Sequence, residues 1–464
     1  MGHELNGKTF NFHPVRPRAN PYRVLILIAL VLGAVWLLTQ AQRGAIPSPF
    51  QSTPTATRMP QSYILEAETY FNSGKLDDPL SENDAVGAYR RALLIDPTNA
   101  QVWAALARIQ IYSSTLVSTD QQRYQRMQEA LASIQRGLEL APDDSTVLAI
   151  SALVYDWNAS STLISADQSE EYLVRAEAAA NRAYLLDPQN TLALAFYAEV
   201  LLDQMKLDQA LQYAEEAVTK DPGVMDTHRV YATVLESIGL YNDAILEYKR
   251  AVEITPNLTF LYLRIGLIYR HLQVYDTALD YFDQAAKINE RLGIKDPLPY
   301  IAIAKVYTQQ GYAQTAALNA EKALLFNPAD SDTYGQLGMI YAAARNYESS
   351  LPALRCALEG CTAEENTTLQ EVAEKFAFQD ETARQLYDEG FTFSIPPLPL
   401  TNLTVAYYYI RYGSMLQYLH EPENGYCQHS LELMATLRAA FPDDPILIQN
   451  IEINEEACRD MLTP

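Results

Sequence analysis

The sequence predicts an all-α solenoid of about eight or nine helix hairpins, preceded by one membrane-crossing helix. Three observations predict it. Residues 241–256, "YNDAILEYKRAVEITP", and 275–290, "YDTALDYFDQAAKINE", carry one pattern of small and large apolar side chains 34 positions apart. Prolines at 97, 142, 188 and 222 punctuate the chain further upstream, at spacings of 45, 46 and 34. Residues 24–38, "VLILIALVLGAVWLL", contain no charge and no strongly polar group.

The apolar run comes first in the chain. With Tyr22, Thr39 and Gln40 it reaches about 19 residues, enough to cross a ~30 Å hydrocarbon layer as a helix. A helix of a globular core would show a polar face. Lys8, Arg16, Arg18 and Arg23 precede the run, and Arg43 alone follows closely. The positive-inside rule therefore puts residues 1–22 in the cytoplasm, 23–40 in the membrane and the rest outside. The alternative is secretion after signal cleavage near Thr39-Gln40-Ala41. Residues 41–61 carry four prolines among Ser, Thr and Gln and read as an extended spacer.

The charge is lopsided. The first 60 residues hold six basic groups and one acid, leaving 28 basic and 56 acidic residues beyond them. A body that acidic repels nucleic acid at long range.

From residue 191 onward the beat is regular. Residues 225–258 place His228, Tyr231, Ala232 and Leu235 in a first helix, then Ala244, Tyr248 and Ala251 in a second, then Pro256. Residues 259–290 repeat it with Tyr262, Ile265, Gly266, Tyr269, Ala278, Phe282 and Ala285, and Glu290 in place of Pro. Residues 191–224, 297–330 and 331–364 stay in phase. Small residues let helix backbones approach, large ones fill the space between pairs, and Pro ends the second helix. The pattern resembles the tetratricopeptide-repeat family over about residues 62–364. That resemblance implies a right-handed superhelix. It also implies a concave face, lined by first helices, that binds peptides or partner subunits.

Three upstream units are longer. The extra residues fall inside each hairpin, in "KLDDPLSEND", near 113–122 and near 157–168. They share one edge of the solenoid, as binding insertions do, although surface slack is the commoner cause.

After 364 the beat falters. Residues 365–400 read as an irregular connecting segment with one or two helices and the extended, Pro-rich "FTFSIPPLPLTNLT". Residues 401–464 read as a divergent hairpin plus a capping helix. The last two helices pack antiparallel around 441–445, which sets Cys427 opposite Cys458. Cys356 and Cys361 are neighbours at a helix end. Four Cys allow three pairings; 356–361 with 427–458 is the favoured one. Free thiols are the alternative, and Cys427, His420 and His429 match no zinc spacing.

No nucleotide loop, HExxH or GxSxG motif is present, so no enzyme, cofactor or metal site is expected. Asn158, Asn257, Asn366 and Asn402 fit the glycosylation sequon. Arg229, Arg264, Arg270, His271 and Lys305 form a basic cluster on three successive first helices, able to meet a carboxylate or the chain's own acids. Phe196, Phe260 and Leu267 are groove or core. The reading is a membrane-anchored, extracytoplasmic interaction scaffold for a protein or peptide partner, with an envelope assembly role. The alternative is an anchored or secreted sensor of a small ligand or glycan.

Overall fold

The computed structural model describes residues 20–42, 58–77, 83–117, 120–161 and 163–462. The chain divides into two compact units, Met1–Arg58 and Met59–Pro464.

The first unit contributes one described helix, α1 (Pro21–Gln42), whose large apolar side chains from Leu25 to Leu37 are exposed. The expected transmembrane helix requires a correction. Among the described residues, no helix is long and apolar enough to cross a membrane. The side chains of Leu38, Ala41 and Gln42 lie outside the described residues. Most of the predicted tail 1–22 and linker 41–61 also lies outside them.

The second unit is helical apart from one isolated antiparallel bridge, Cys361 to Ile395. Unit one pairs α2 (Pro60–Asn72) with α3 (Ala85–Ile95), and unit two pairs α4 (Ala100–Ser113) with α5 (Asp120–Leu140). Unit three is α6 (Ser145–Ala159) with α7 (Ala166–Leu186), and unit four is α8 (Thr191–Asp203) with α9 (Leu207–Lys220). Unit five is α10 (Met225–Ser237) with α11 (Tyr241–Ile254), and unit six is α12 (Thr259–His271) with α13 (Tyr275–Leu292). Unit seven is α14 (Leu298–Gln310) with α15 (Ala313–Phe326), and unit eight is α16 (Ser331–Ala343) with α17 (Tyr347–Glu359). A short pair, α18 (Thr367–Phe376) and α19 (Glu381–Glu389), follows. Then come α20 (Leu403–Tyr418), α21 (Tyr426–Ala440) and the capping helix α22 (Pro445–Leu462). The array thus has ten pairs, more than the sequence suggested. The added pair falls where residues 365–400 read as an irregular connector.

The repeat's local chemistry explains its beat. Two residues after each of Pro97, Pro142, Pro188 and Pro328 stands Asn99, Asp144, Asn190 or Asp330. Each of these side chains accepts backbone N–H bonds at the start of the next first helix. Six residues after the proline a polar ring reaches back to the proline carbonyl. Trp103 does so at 3.0 Å, Tyr262 at 2.8 Å and Tyr334 at 2.9 Å, while His228 Nε2 lies 2.9 Å from Pro222 O. The bonds satisfy carbonyls that Pro leaves at the helix exit. Within a hairpin, Gly266 sits so close to Phe282 that a Cβ would fall 2.4 Å from the ring.

Helix α20 does not stack on α18–α19. Its Tyr408 ring packs over Gly335 of α16, where a Cβ would meet it at 2.4 Å, and its hydroxyl donates to Asp332 at 3.0 Å. The α18–α19 pair is therefore an insertion into the stack. The extended segment after it is pinned by Cys361–Ile395 backbone bonds of 3.0 and 2.8 Å and by Leu398 N–H to Ala357 O at 2.8 Å.

The superhelix also touches itself. The internal turn of unit one meets the turn between units five and six, where Asn257 donates to Ser73 O at 3.0 Å. Gly74, at φ +77°, lies there with no room for a Cβ, which would sit 2.4 Å from that of Asn257. Gln121 and Leu163, beside the internal turns of units two and three, share a cavity with Asp330–Asp332 and Pro396–Pro399. Ser73 and Gly74 of unit one, Gln121 of unit two and Leu163 of unit three, beside the long internal turns, therefore face residues of later units.

Candidate functional site

The concave face is built by first helices, which the repeat geometry sets side by side. At the level of units two and five it is filled. Arg108 of α4 reaches Asp226 of α10 by its Nε at 3.0 Å and by a second, shorter bond, and the Tyr112 hydroxyl donates to the same carboxylate. The Tyr112 ring stacks on Phe260 at 5.7 Å and meets Trp157 edge-on at 6.0 Å. Burial pushes the Asp226 carboxyl up, but the Arg108 guanidinium and the other charges around it more than reverse this. Its affinity for a proton ends below the ordinary range.

Below this plug lies a cavity of about 430 Å³. Its apolar lining is Phe260, Leu263 and Leu267 of α12 with Trp157 and Leu298, and Thr115 and Arg123 of unit two also line it. Glu199, Arg229, Thr233, Tyr248 and Arg264 complete the wall.

The five predicted basic residues separate into three kinds. Arg229 is buried and forms a two-pronged pair with Glu199 at 2.7 and 2.6 Å, its Nε left without a partner. Arg264 pairs with Glu236 at 2.7 Å. Arg270 and Lys305 make no ion pair among the described residues. Burial lowers the proton affinity of both. For Lys305 the neighbouring Arg270 charge lowers it further, while Asp332 opposes. His271 is an exposed residue closing α12, with its ring 4.9 Å from that of Tyr241, and does not line the cavity. Phe196 is core, whereas Phe260 and Leu267 are cavity wall.

Asp226, Arg108, Tyr112, Glu199 and Trp157 were not singled out from the sequence. Arg108 and Asp226 lie 118 residues apart, and no local pattern links them. Burial and the charges of Asp203 and Glu199 raise Asp156 well above its ordinary value, and Asp203 is pushed up to about 6 by burial first and then by the Glu199 charge, against a hydrogen bond with Asp156. Among the described residues, no group of acids, His or Cys is arranged to hold a metal ion.

The cysteines lie in two pairs, Cys356 with Cys361 and Cys427 with Cys458, at Cα separations of 4.9 and 5.1 Å. Of the sequon asparagines, Asn158 and Asn366 are buried. Asn402 caps α20 and Asn257 serves the contact with Ser73.

The fold defines an all-helical repeat solenoid with a concave-face cavity. Residues 261–291 match the tetratricopeptide repeat family. The chain is 23% identical over 159 residues to BBSome complex member BBS4 of Mus musculus, covering 34% of this chain and 30% of that protein. It is 30% identical over 113 residues to anaphase-promoting complex subunit 3 of Schizosaccharomyces pombe, covering 24% and 16%. The chain thus spans less than a third of either relative. Among solved structures, a tetratricopeptide repeat protein from Parabacteroides merdae aligns at 15% identity and TM-score 0.40, over 66% of this chain and 98% of that one. The Thermus thermophilus protein TTC0263 aligns at 24% identity and TM-score 0.32, over 38% and 93%.

Proposed function

We propose that the chain is a non-enzymatic interaction scaffold whose concave face takes a segment of a protein partner, with the array outside the cytoplasm. The observation that carries the scaffold reading is the cavity on the concave face, lined by first helices of successive units and made apolar by Phe260, Leu263 and Leu267. Relatives named as members of complexes support it. The test is a photo-cross-linking amino acid at Leu267, compared with one at the exposed Leu246 of α11. One defined adduct at Leu267 and none at Leu246 is expected; equal labelling at both positions removes the reading.

Two cysteine pairs favour an oxidising compartment for the array. Protease treatment of intact cells tests the placement. Protection of the array by an intact inner membrane overturns it.

A second reading is a sensor of a small ligand. The buried Arg229–Glu199 ion pair in the cavity wall favours it, because polar groups set in an apolar lining suit a small molecule.

A further inference from the structure

We propose that the inserted α18–α19 hairpin is a second docking surface, which takes a basic segment of a protein partner bearing one large apolar side chain. The proposal concerns residues 363–391 and does not rest on the concave-face cavity.

The insertion carries its charge unlike the rest of the array. Residues 363–391 hold eight acids and two bases, a net charge of −6 out of the protein's −23 in 29 of its 464 residues. Elsewhere acids meet bases across repeats, as Asp143 with Arg182, Glu177 with Lys206 and Glu455 with Arg438 do. None of the eight acids has a Lys, Arg or His at ion-pair distance among the described residues. The two bases are engaged otherwise: Lys375 pairs with Glu321 of α15 at 2.6 Å, and Arg384 Nε donates to Ala377 O at 3.1 Å. Lys295 reaches the hairpin but donates to the Thr382 hydroxyl, at 3.2 Å.

The acids also stand badly for the helices that carry them. Glu371 and Glu374 lie three residues apart on α18, where like charges repel. Asp388 and Glu389 lie in the last turn of α19, where the helix dipole favours cations. Helix stability does not select this pattern, and an opposite charge brought by a partner relieves it.

The same hairpin carries apolar surface. A cavity of about 410 Å³ is lined only by residues between 363 and 391. Ala373 of α18, Leu386 and Tyr387 of α19 and Phe391 give it an apolar lining, and Glu364 and Glu374 line it as well. Tyr387 is 54% exposed, and Phe378, in the turn between the two helices, is 95% exposed. The space holds about fourteen water volumes, room for one large side chain and the backbone that bears it.

Charge and lining together select the occupant. The acids repel nucleic acid and other anions. Among the described residues, no group of acids, His or Cys is arranged to hold a metal ion. A bare polyamine would leave the apolar lining in water. A protein segment with one aromatic or long aliphatic side chain flanked by Lys and Arg answers both features.

The test selects from a random peptide library displayed on phage, with the full chain in a mild non-ionic detergent as bait. Binders to the variant Glu364→Lys with Glu374→Lys are removed first, so that what remains depends on the hairpin. We expect enriched peptides in which one large apolar residue is flanked by Lys or Arg. Measured by fluorescence anisotropy, their affinity should fall about tenfold in Tyr387→Ser, with the thermal midpoint unchanged. Glu452→Lys with Glu456→Lys makes the same change of net charge on exposed positions of α22 and should leave binding within about twofold. No enrichment, enriched peptides without basic residues, or full affinity in Tyr387→Ser overturns the proposal. A loss in the α22 variant as large as in the Glu364→Lys, Glu374→Lys variant also overturns it, by reducing the effect to the net charge of the chain. Dimerisation that the Glu364→Lys, Glu374→Lys change abolishes gives the hairpin to a second copy of the chain instead.

Discussion

Units one and two close onto units five and six through Asp226, Arg108, Tyr112 and Asn257, whereas the C-terminal region is joined by Tyr408 over Gly335, the Cys361–Ile395 bridge and two cysteine pairs. Both regions depart from a plain solenoid, in which each repeat touches only its neighbours. The first departs by long-range polar contact between successive turns of the superhelix. The second departs by a hairpin inserted in the stack, with one covalent link before it and one after it in the chain. The difference teaches where cooperativity comes from. The N-terminal closure couples repeats distant in sequence, so it should make those units unfold together. The C-terminal links act over short loops and should protect only the last helices.

Four measurements would break or sharpen that contrast, in order of expected effect. Asp226→Asn leaves the Arg108 guanidinium beside a neutral amide inside the closure. We expect a loss of about 3–5 kcal/mol in urea unfolding, with units one to six separating from the rest as an earlier transition. A single unchanged transition would show that the closure contributes no coupling.

Replacing Cys427 and Cys458 by Ser opens a loop whose ends are 31 residues apart. The expected cost is about 3–4 kcal/mol. Hydrogen exchange should show it in α20–α22 alone, leaving α4 and α10 protected as before.

Asp296 gives the closure a pH dependence. It lies in the turn facing Arg123, and burial pushes its carboxyl up to about 6, against the N–H of Leu298 and the amide of Asn289. The folded value lies above the unfolded one. Its contribution is therefore full below about pH 4 and is lost as the pH rises through about 6. The swing is up to about 3 kcal/mol, and Asp296→Asn should flatten stability across that window.

Gly335→Ala drives a methyl into the Tyr408 ring. Displacing α20 should cost about 1–3 kcal/mol, read as a thermal shift, with the closure between units two and five unaffected.

The repeating parts of the fold were legible because their causes are local. Pro97 and Asn99, or Pro328 and Asp330, sit two residues apart, and Tyr262 reaches a carbonyl six residues back. The antiparallel pairing of α21 and α22 followed from one turn, and it brings Cys427 to Cys458. The basic cluster was legible as composition, but the partners of its members were not. Arg229 and Arg264 are spent on Glu199 and Glu236, and the helix end turns His271 outward. In residues 365–400 one or two helices were legible, but not that they form a pair of their own, because α18 and α19 are short, at 10 and 9 residues, and carry no repeat consensus.

The sequence by itself determined the helix hairpins, their caps and the 34-residue step, since each depends on side chains within a few turns of one another. Only the tertiary structure decided that Ser73 and Gly74, beside the long internal turn of unit one, meet Asn257. It alone decided that Arg108 belongs to Asp226, and that Arg229 and Arg264 belong to Glu199 and Glu236. Those outcomes depend on how small rotations between units accumulate over several repeats, a sum that no local stretch of sequence contains.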